Sequence, residues 1–144
     1  MKDQLVLRII TKMILPFILM FGFYVQLHGE YSPGGGFQAG VIVATAFILY
    51  ALIFGAKEAL QVIPLSVMKI LASVGVLLYG GTGVVALLMG GHFLEYSVLA
   101  GSQTSGQQLG IIIIELGIGI TVCAVMLIIF FTFALRGQQN DGYN

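Results

Sequence analysis

From Phe37 to Ala56 the chain carries no charged residue. Three further apolar runs, Met13 to Leu27, Ile70 to Leu94 and Leu109 to Leu135, hold between them a single charge, Glu115. A helix that crosses about 30 Å of hydrocarbon needs roughly 20 predominantly apolar residues. Four such helices with short connections use nearly all of the 144 residues, so no soluble domain fits beside them. Charged residues make up 8% of the chain, against roughly a quarter in an ordinary soluble domain. The six Lys/Arg balance the six Asp/Glu and form no basic cluster, which removes the footprint that binding a phosphate backbone demands and excludes nucleic acid as a partner. Continuous apolar runs also exclude a membrane β-barrel, whose strands alternate over about ten residues.

The expected fold is therefore an all-α integral membrane protein, a bundle of four transmembrane helices forming one membrane domain over residues 1–144. The spans are expected at about 6–27, 37–56, 65–91 and 109–135. The first run follows Lys2, Arg8 and Lys12 in the manner of a secretory signal, but no small-x-small cleavage site follows it, and it reads as a retained helix that tolerates Pro16. Pro64 suits the start of the third helix, where its missing N–H is not needed. In the fourth, Glu115 costs roughly 2.5 to 3.5 kcal/mol near a span centre, and the neighbouring isoleucines and the long apolar stretch behind them offset it.

Orientation follows from Lys and Arg alone. Lys2, Arg8, Lys12, Lys57, Lys69 and Arg136 all fall at the starts of spans one and three or the ends of spans two and four. The other two connections contain none, so both termini are expected in the cytoplasm and the segments His28–Gly36 and His92–Gly106 outside. Cys123 lies inside the last span and reads as a small packing residue. No disulfide or cysteine metal cluster can form from it within one chain.

The densest information lies in His28-Gly29-Glu30-Tyr31-Ser32-Pro33-Gly34-Gly35-Gly36-Phe37-Gln38-Ala39-Gly40. Ser32 is suited to cap a helix and Pro33 to open one, while the glycines permit a tight turn or the close approach of another backbone. Gly34-x-Gly36-x-x-Ala39 imitates a dinucleotide fingerprint but lacks the preceding strand that motif requires. A Walker loop fails for want of a following Gly-Lys-Ser/Thr. Gly36, Gly40 and Ala44 continue the small residues along one helix face, with Ala51 and Gly55 lower down. Gly75, Gly80, Gly81 and Gly83 in span three, and Gly110, Gly117 and Gly119 in span four, offer similar surfaces. A weak internal echo joins Glu30-Tyr31-Ser32 to Glu95-Tyr96-Ser97, each soon after a histidine.

This segment resembles the signature of the B subunit of Mrp-type multisubunit cation/proton antiporters, the MnhB/MrpB family, in which a Pro-Gly-Gly-Gly-Phe core opens a membrane helix. The match is strongest over Gly29 to Gly40, and chain length and span number agree with it. The motif positions carried over are Pro33, Gly34, Gly35, Gly36, Phe37 and Gly40, with Ser32 and Gln38 beside them. The sequence departs from the pattern at Glu30, where histidine is common, and at Ala39, where glycine is. The resemblance implies a non-catalytic subunit, without cofactor or metal, of an assembly that exchanges cytoplasmic Na⁺ or Li⁺ for external protons. Its implied partners are the other membrane subunits of the Mrp-type complex and the lipid bilayer, and its implied location the plasma membrane of a prokaryote. A purely structural scaffold role and the equivalent place in an ion-translocating membrane-bound hydrogenase are the alternatives.

The residues themselves single out three candidates for handling ions or protons. Glu115 is the acidic residue inside an apolar run, and ionisable groups there commonly face a bundle interior or a hydrated cavity. His28 and Glu30 are expected on the outer side, as are His92 and Glu95; interfacial anchoring beside Tyr24, Tyr31 and Tyr96 accounts for such residues as well.

Overall fold

The computed structural model describes residues 2–29 and 35–140. Among them, every regular element is helical: α1 (Lys2–Leu27), α2 (Gly36–Phe54), α3 (Ala56–Val62), α4 (Leu65–Leu88), a single 3-10 turn (Tyr96–Leu99) and α5 (Gln103–Asn140). Four of these are long and apolar enough to cross a membrane: Leu5–Leu27, Gly36–Phe54, Leu65–Leu88 and Gln103–Arg136.

The helix boundaries follow local chemistry. Residue Gly55, read from the sequence as part of a packing face, instead ends α2, because it takes φ = 110°, a conformation that L side chains rarely adopt. The chain then turns into α3, a short helix not foreseen in the sequence, whose alanines Ala56 and Ala59 are buried while Lys57 and Glu58 are exposed. Pro64 caps α4 with φ = −64°, immediately before Leu65. At the other end Gly90 adopts φ = 85° and the Gly91 N–H donates back to the Ala86 carbonyl at 3.0 Å, a glycine stop that satisfies a terminal carbonyl. The first helical residue of α2 is Gly36, with Gly35 extended before it. Helix α2 thus starts where its backbone meets α5, and Ser32 and Pro33, expected to cap and open a helix, lie outside the described residues.

The helices stand in the spatial order α1, α2, α5, α4, each packed on the next. Helices α1 and α2 are antiparallel, as are α4 and α5, whereas α2 and α5 run the same way, since Gly36 faces Glu115 and Gly40 faces Gly119. Small residues make these crossings possible. An added Cβ at Gly40 would come within 2.5 Å of the Gly119 carbonyl, and one at Gly75 would collide with the Thr121 hydroxyl. Gly80 and Gly81, in contrast, have nothing within 4 Å of an added Cβ.

A core of Ala44, Ala51, Ala56, Ala59, Met68, Leu127 and Phe131 ties α2, α3, α4 and α5 together. At the same end, Arg8 and Lys12 reach over the ring of Phe54, at 5.6 and 5.5 Å from its centroid. All the described basic side chains, Arg8, Lys12, Lys57, Lys69 and Arg136, belong to this basic end. Helix α1 does not pack on α4 among the described residues, so the bundle is open on one side. An apolar groove of about 360 Å³ runs between α1 and α4, floored by α2 and α5. No more than 28% of any span's apolar window is buried within the chain. The rest needs lipid or protein around it.

Candidate functional site

At the end opposite the basic one, the last turn of α1, the first of α2 and the middle of α5 converge on Glu115. Helix α5 starts at Gln103, well before Leu109, which places Glu115 about 18 Å along it at 1.5 Å per residue. Its side chain is half-buried. A Cβ added at Gly29 would meet both carboxylate oxygens at 2.5 Å, and one at Gly35 would stand 3.0 Å from Oε1. A Cβ at Gly36 would collide with the Glu115 backbone carbonyl. The glycines on either side of the turn therefore have a common cause: α5 presents a carboxylate and its own backbone there, and only hydrogen atoms leave room. The first turn of α2 also brings backbone N–H groups, which no earlier turn of helix can satisfy, next to that carboxylate.

Gln26 completes the cluster. Its Oε1 would lie 2.5 Å from a Cβ at Gly119, one turn of α5 beyond Glu115. Sequence reasoning missed it, although a lone amide near the end of an apolar run, four residues after Gly22, was a legible signal. Exposed His28 stacks on Tyr24 with ring centroids 4.1 Å apart, and its Nδ1 is 3.2 Å from the Tyr24 carbonyl oxygen. Of the motif positions, Gly35, Gly36 and Gly40 are at helix contacts, whereas Phe37 and Gln38 are exposed. Glu30, Ser32, Pro33 and Gly34 lie outside the described residues.

The other connection at this end is built differently. The backbone N–H of His92 donates to Glu95 Oε2 at 2.7 Å, and the Ser97 hydroxyl donates to Oε1 at 3.1 Å. These bonds hold the Glu95 carboxyl below the usual carboxylate range, the backbone one most strongly. Its charge serves the loop. Phe93 fills the space over Gly83, and Tyr96 covers Gly110.

Comparison with known proteins gives the family. Residues 6–128 match the family model described as a domain related to the MnhB subunit of Na⁺/H⁺ antiporters. The chain belongs to this family. A relative in Staphylococcus aureus (strain Newman), named antiporter subunit mnhB2, is 34% identical over 136 residues, covering 92% of this chain and 96% of its own. A protein of the same name in strain JH1 matches to the same extent. The resemblance read from Gly29 to Gly40 is thus confirmed along most of the chain. Within this MnhB-related chain, Gly35 and Gly36 are the described part of the signature that touches Glu115.

Proposed function

We propose that this chain is a non-catalytic membrane subunit of a multisubunit Na⁺/H⁺ antiporter, in which Glu115 handles a proton or cation. The observation that carries the reading is the placement of the Glu115 carboxylate, from inside an apolar helix, against Gly29 and Gly35 of the glycine-rich turn. Ionisable groups within apolar spans are costly, face a bundle interior or a hydrated cavity, and commonly mark an ion or proton path. His28 and Glu30 flank the turn in sequence and complete the set of titratable groups for the route. The basic residues at the opposite end favour a cytoplasmic position for both termini in the plasma membrane of a prokaryote.

The groove also favours a subunit over a self-sufficient transporter. Beyond Gln26 it is lined by side chains such as Phe23, Val43, Leu71, Ile120 and Leu127. Among the described residues, Glu115 is the acidic side chain within the four candidate spans, so no polar relay continues along this groove to the basic end. A proton or cation that reaches Glu115 needs a neighbouring subunit to go farther. The open side of the bundle and the unfilled face at Gly80 and Gly81 give such neighbours somewhere to sit.

The test is Na⁺-dependent proton movement in everted vesicles that carry the whole complex with Glu115→Gln, with co-purification of the other subunits checked in parallel. Loss of exchange in an assembled complex supports the reading. Normal exchange in an assembled complex reduces the chain to a scaffold.

A further inference from the structure

Arg8 and Lys12 lie on the face of α1 that lines the apolar groove. Steps of four and three residues carry that face through Arg8, Lys12, Leu15, Leu19, Gly22 and Gln26, and such spacing keeps side chains on one side of a helix. Gly22 and Gln26 line the groove of about 360 Å³, while Leu15 and Leu19 line a smaller space of about 90 Å³ that shares Phe47, Met68 and Leu127 with it. The groove thus continues toward the basic end. Tyr50 lines it there and stacks on Phe54 with ring centroids 4.6 Å apart, and Phe54 is the ring faced by Arg8 and Lys12. Apart from the Tyr50 hydroxyl, every side chain lining this smaller space is apolar. One path therefore leads from two cations, past two aromatic rings, into an apolar trough.

The dimensions select an occupant. One acyl chain fills half of a hydrocarbon core of about 30 Å, a depth of about 15 Å. From Lys12 to Gly22 along α1 is also about 15 Å, so a chain whose head stands at Lys12 ends short of Gln26 and Glu115. A methylene is about the size of a water, whose share of liquid volume is about 30 Å³, so the groove takes about a dozen of them. A helix about 10 Å across and 15 Å long fills more than about 1,000 Å³, several times that space. Charge points the same way. Two cations one helical turn apart repel each other, and an anion beside both relieves the repulsion. Among the described residues the acid of this end, Glu58, turns its carboxylate onto Gly55. Five residues between Gly29 and Gly35 reach about 9 Å out and back at most. Leu19 and Tyr50 lie about 12 and 21 Å from the ends of α1 and α2 beside Glu115, so that connection cannot cover this half of the groove.

We propose that the basic half of the groove binds one anionic phospholipid, its phosphate beside Arg8 and Lys12 and one acyl chain laid along Leu15, Leu19 and Tyr50 as far as Gly22. Basic residues at a membrane surface draw anionic headgroups, and basic pockets between helices hold them. The site stands at the other end from Glu115 and is independent of any role of that carboxylate in transport. To test it, the intact complex is reconstituted in phosphatidylcholine vesicles that carry a trace of phosphatidylglycerol or of phosphatidylcholine with a diazirine in one acyl chain. After irradiation the labelled residues of this subunit are mapped by mass spectrometry. Phosphatidylglycerol should label Leu15, Leu19 and Tyr50 about tenfold more than phosphatidylcholine does, and residues outside the groove to a similar extent as phosphatidylcholine. Arg8→Gln with Lys12→Gln should bring the preference in the groove down to about one to one, while Lys69→Gln with Arg136→Gln, which removes the same charge from the same end, should leave it. Should the first pair prevent assembly, Lys12→Gln alone should lower the preference to about threefold.

Equal labelling of the groove residues by the two probes would make them ordinary lipid-facing surface and overturn the site. No labelling there, with labelling elsewhere on the subunit, would mean that a helix of a neighbouring subunit or of a second copy fills the groove, which also overturns it. One preference for phosphatidylglycerol at every labelled position, unchanged by Arg8→Gln with Lys12→Gln, would be a general enrichment of anionic lipid around the complex and would equally remove the site.

Discussion

Two connections at the end opposite the basic residues start with related letters, His28-Gly29-Glu30-Tyr31-Ser32 after α1 and His92-Phe93-Leu94-Glu95-Tyr96-Ser97 after α4. In the second, the carboxylate of Glu95 accepts from its own loop, Phe93 and Tyr96 cover glycines of the helices below, and the loop closes on itself. In the first, Gly29, Gly35 and Gly36 remove side chains so that a carboxylate from another helix can come in. One carboxylate is consumed by local structure; the other is delivered to a place where backbone ends and an amide gather. A charged residue in a membrane-protein loop is therefore informative only with its partners known.

The contrast can be broken most forcefully at Gly36. Gly36→Val puts a branched side chain into the Glu115 backbone, and we expect a loss of about 3 kcal/mol or more, seen as failure of the complex to assemble or a large drop in its melting temperature. Gly80→Ala, with open space around it, should change the stability of this chain by no more than about 1 kcal/mol, and in the stabilising direction through helix propensity. If Gly80→Ala disrupts the complex nonetheless, that face is covered by a neighbouring subunit.

Phe54→Leu sharpens the picture at the basic end, where neither turn takes part. It keeps most of the apolar volume and removes the ring faced by Arg8 and Lys12, so a cost of about 0.5–1 kcal/mol is expected in thermal unfolding of the complex. The smallest effect belongs to Glu95. Its carboxyl lies below the ordinary value of 4.5, so the charged form persists at that pH and the loop keeps its capping bonds. For a depressed carboxylate, stability is present above the unfolded value and fades as pH falls through the folded one. Protection of the His92 amide, taken relative to the intrinsic exchange rate at the same pH, should hold at pH 4.5 and fall only in more acid solution, and Glu95→Gln should weaken it at neutral pH.

Much of this architecture was legible in the sequence. Runs of apolar residues gave the four long helices, and the placement of Lys and Arg anticipated one basic end. The Pro-Gly-Gly-Gly-Phe segment carried the family. Periodicity could not reveal that Glu115 meets that segment, because the contact joins residues far apart in the chain through a crossing of α2 and α5. Nor could it show α3, where a single glycine with positive φ ends α2 and the expected connection folds into a short helix. A start at Leu109 and a start at Gln103 look alike in composition, and only the packing of Tyr96 against Gly106 and Gly110 shows how far α5 extends.

The most direct measurement compares the two carboxylates in one assay: Na⁺-dependent proton movement in everted vesicles carrying the intact complex with Glu115→Gln or with Glu95→Gln. The account predicts that Glu115→Gln lowers exchange by about tenfold or more while the other subunits still co-purify, and that Glu95→Gln leaves exchange near its normal rate. Normal exchange with Glu115→Gln in an assembled complex would contradict it.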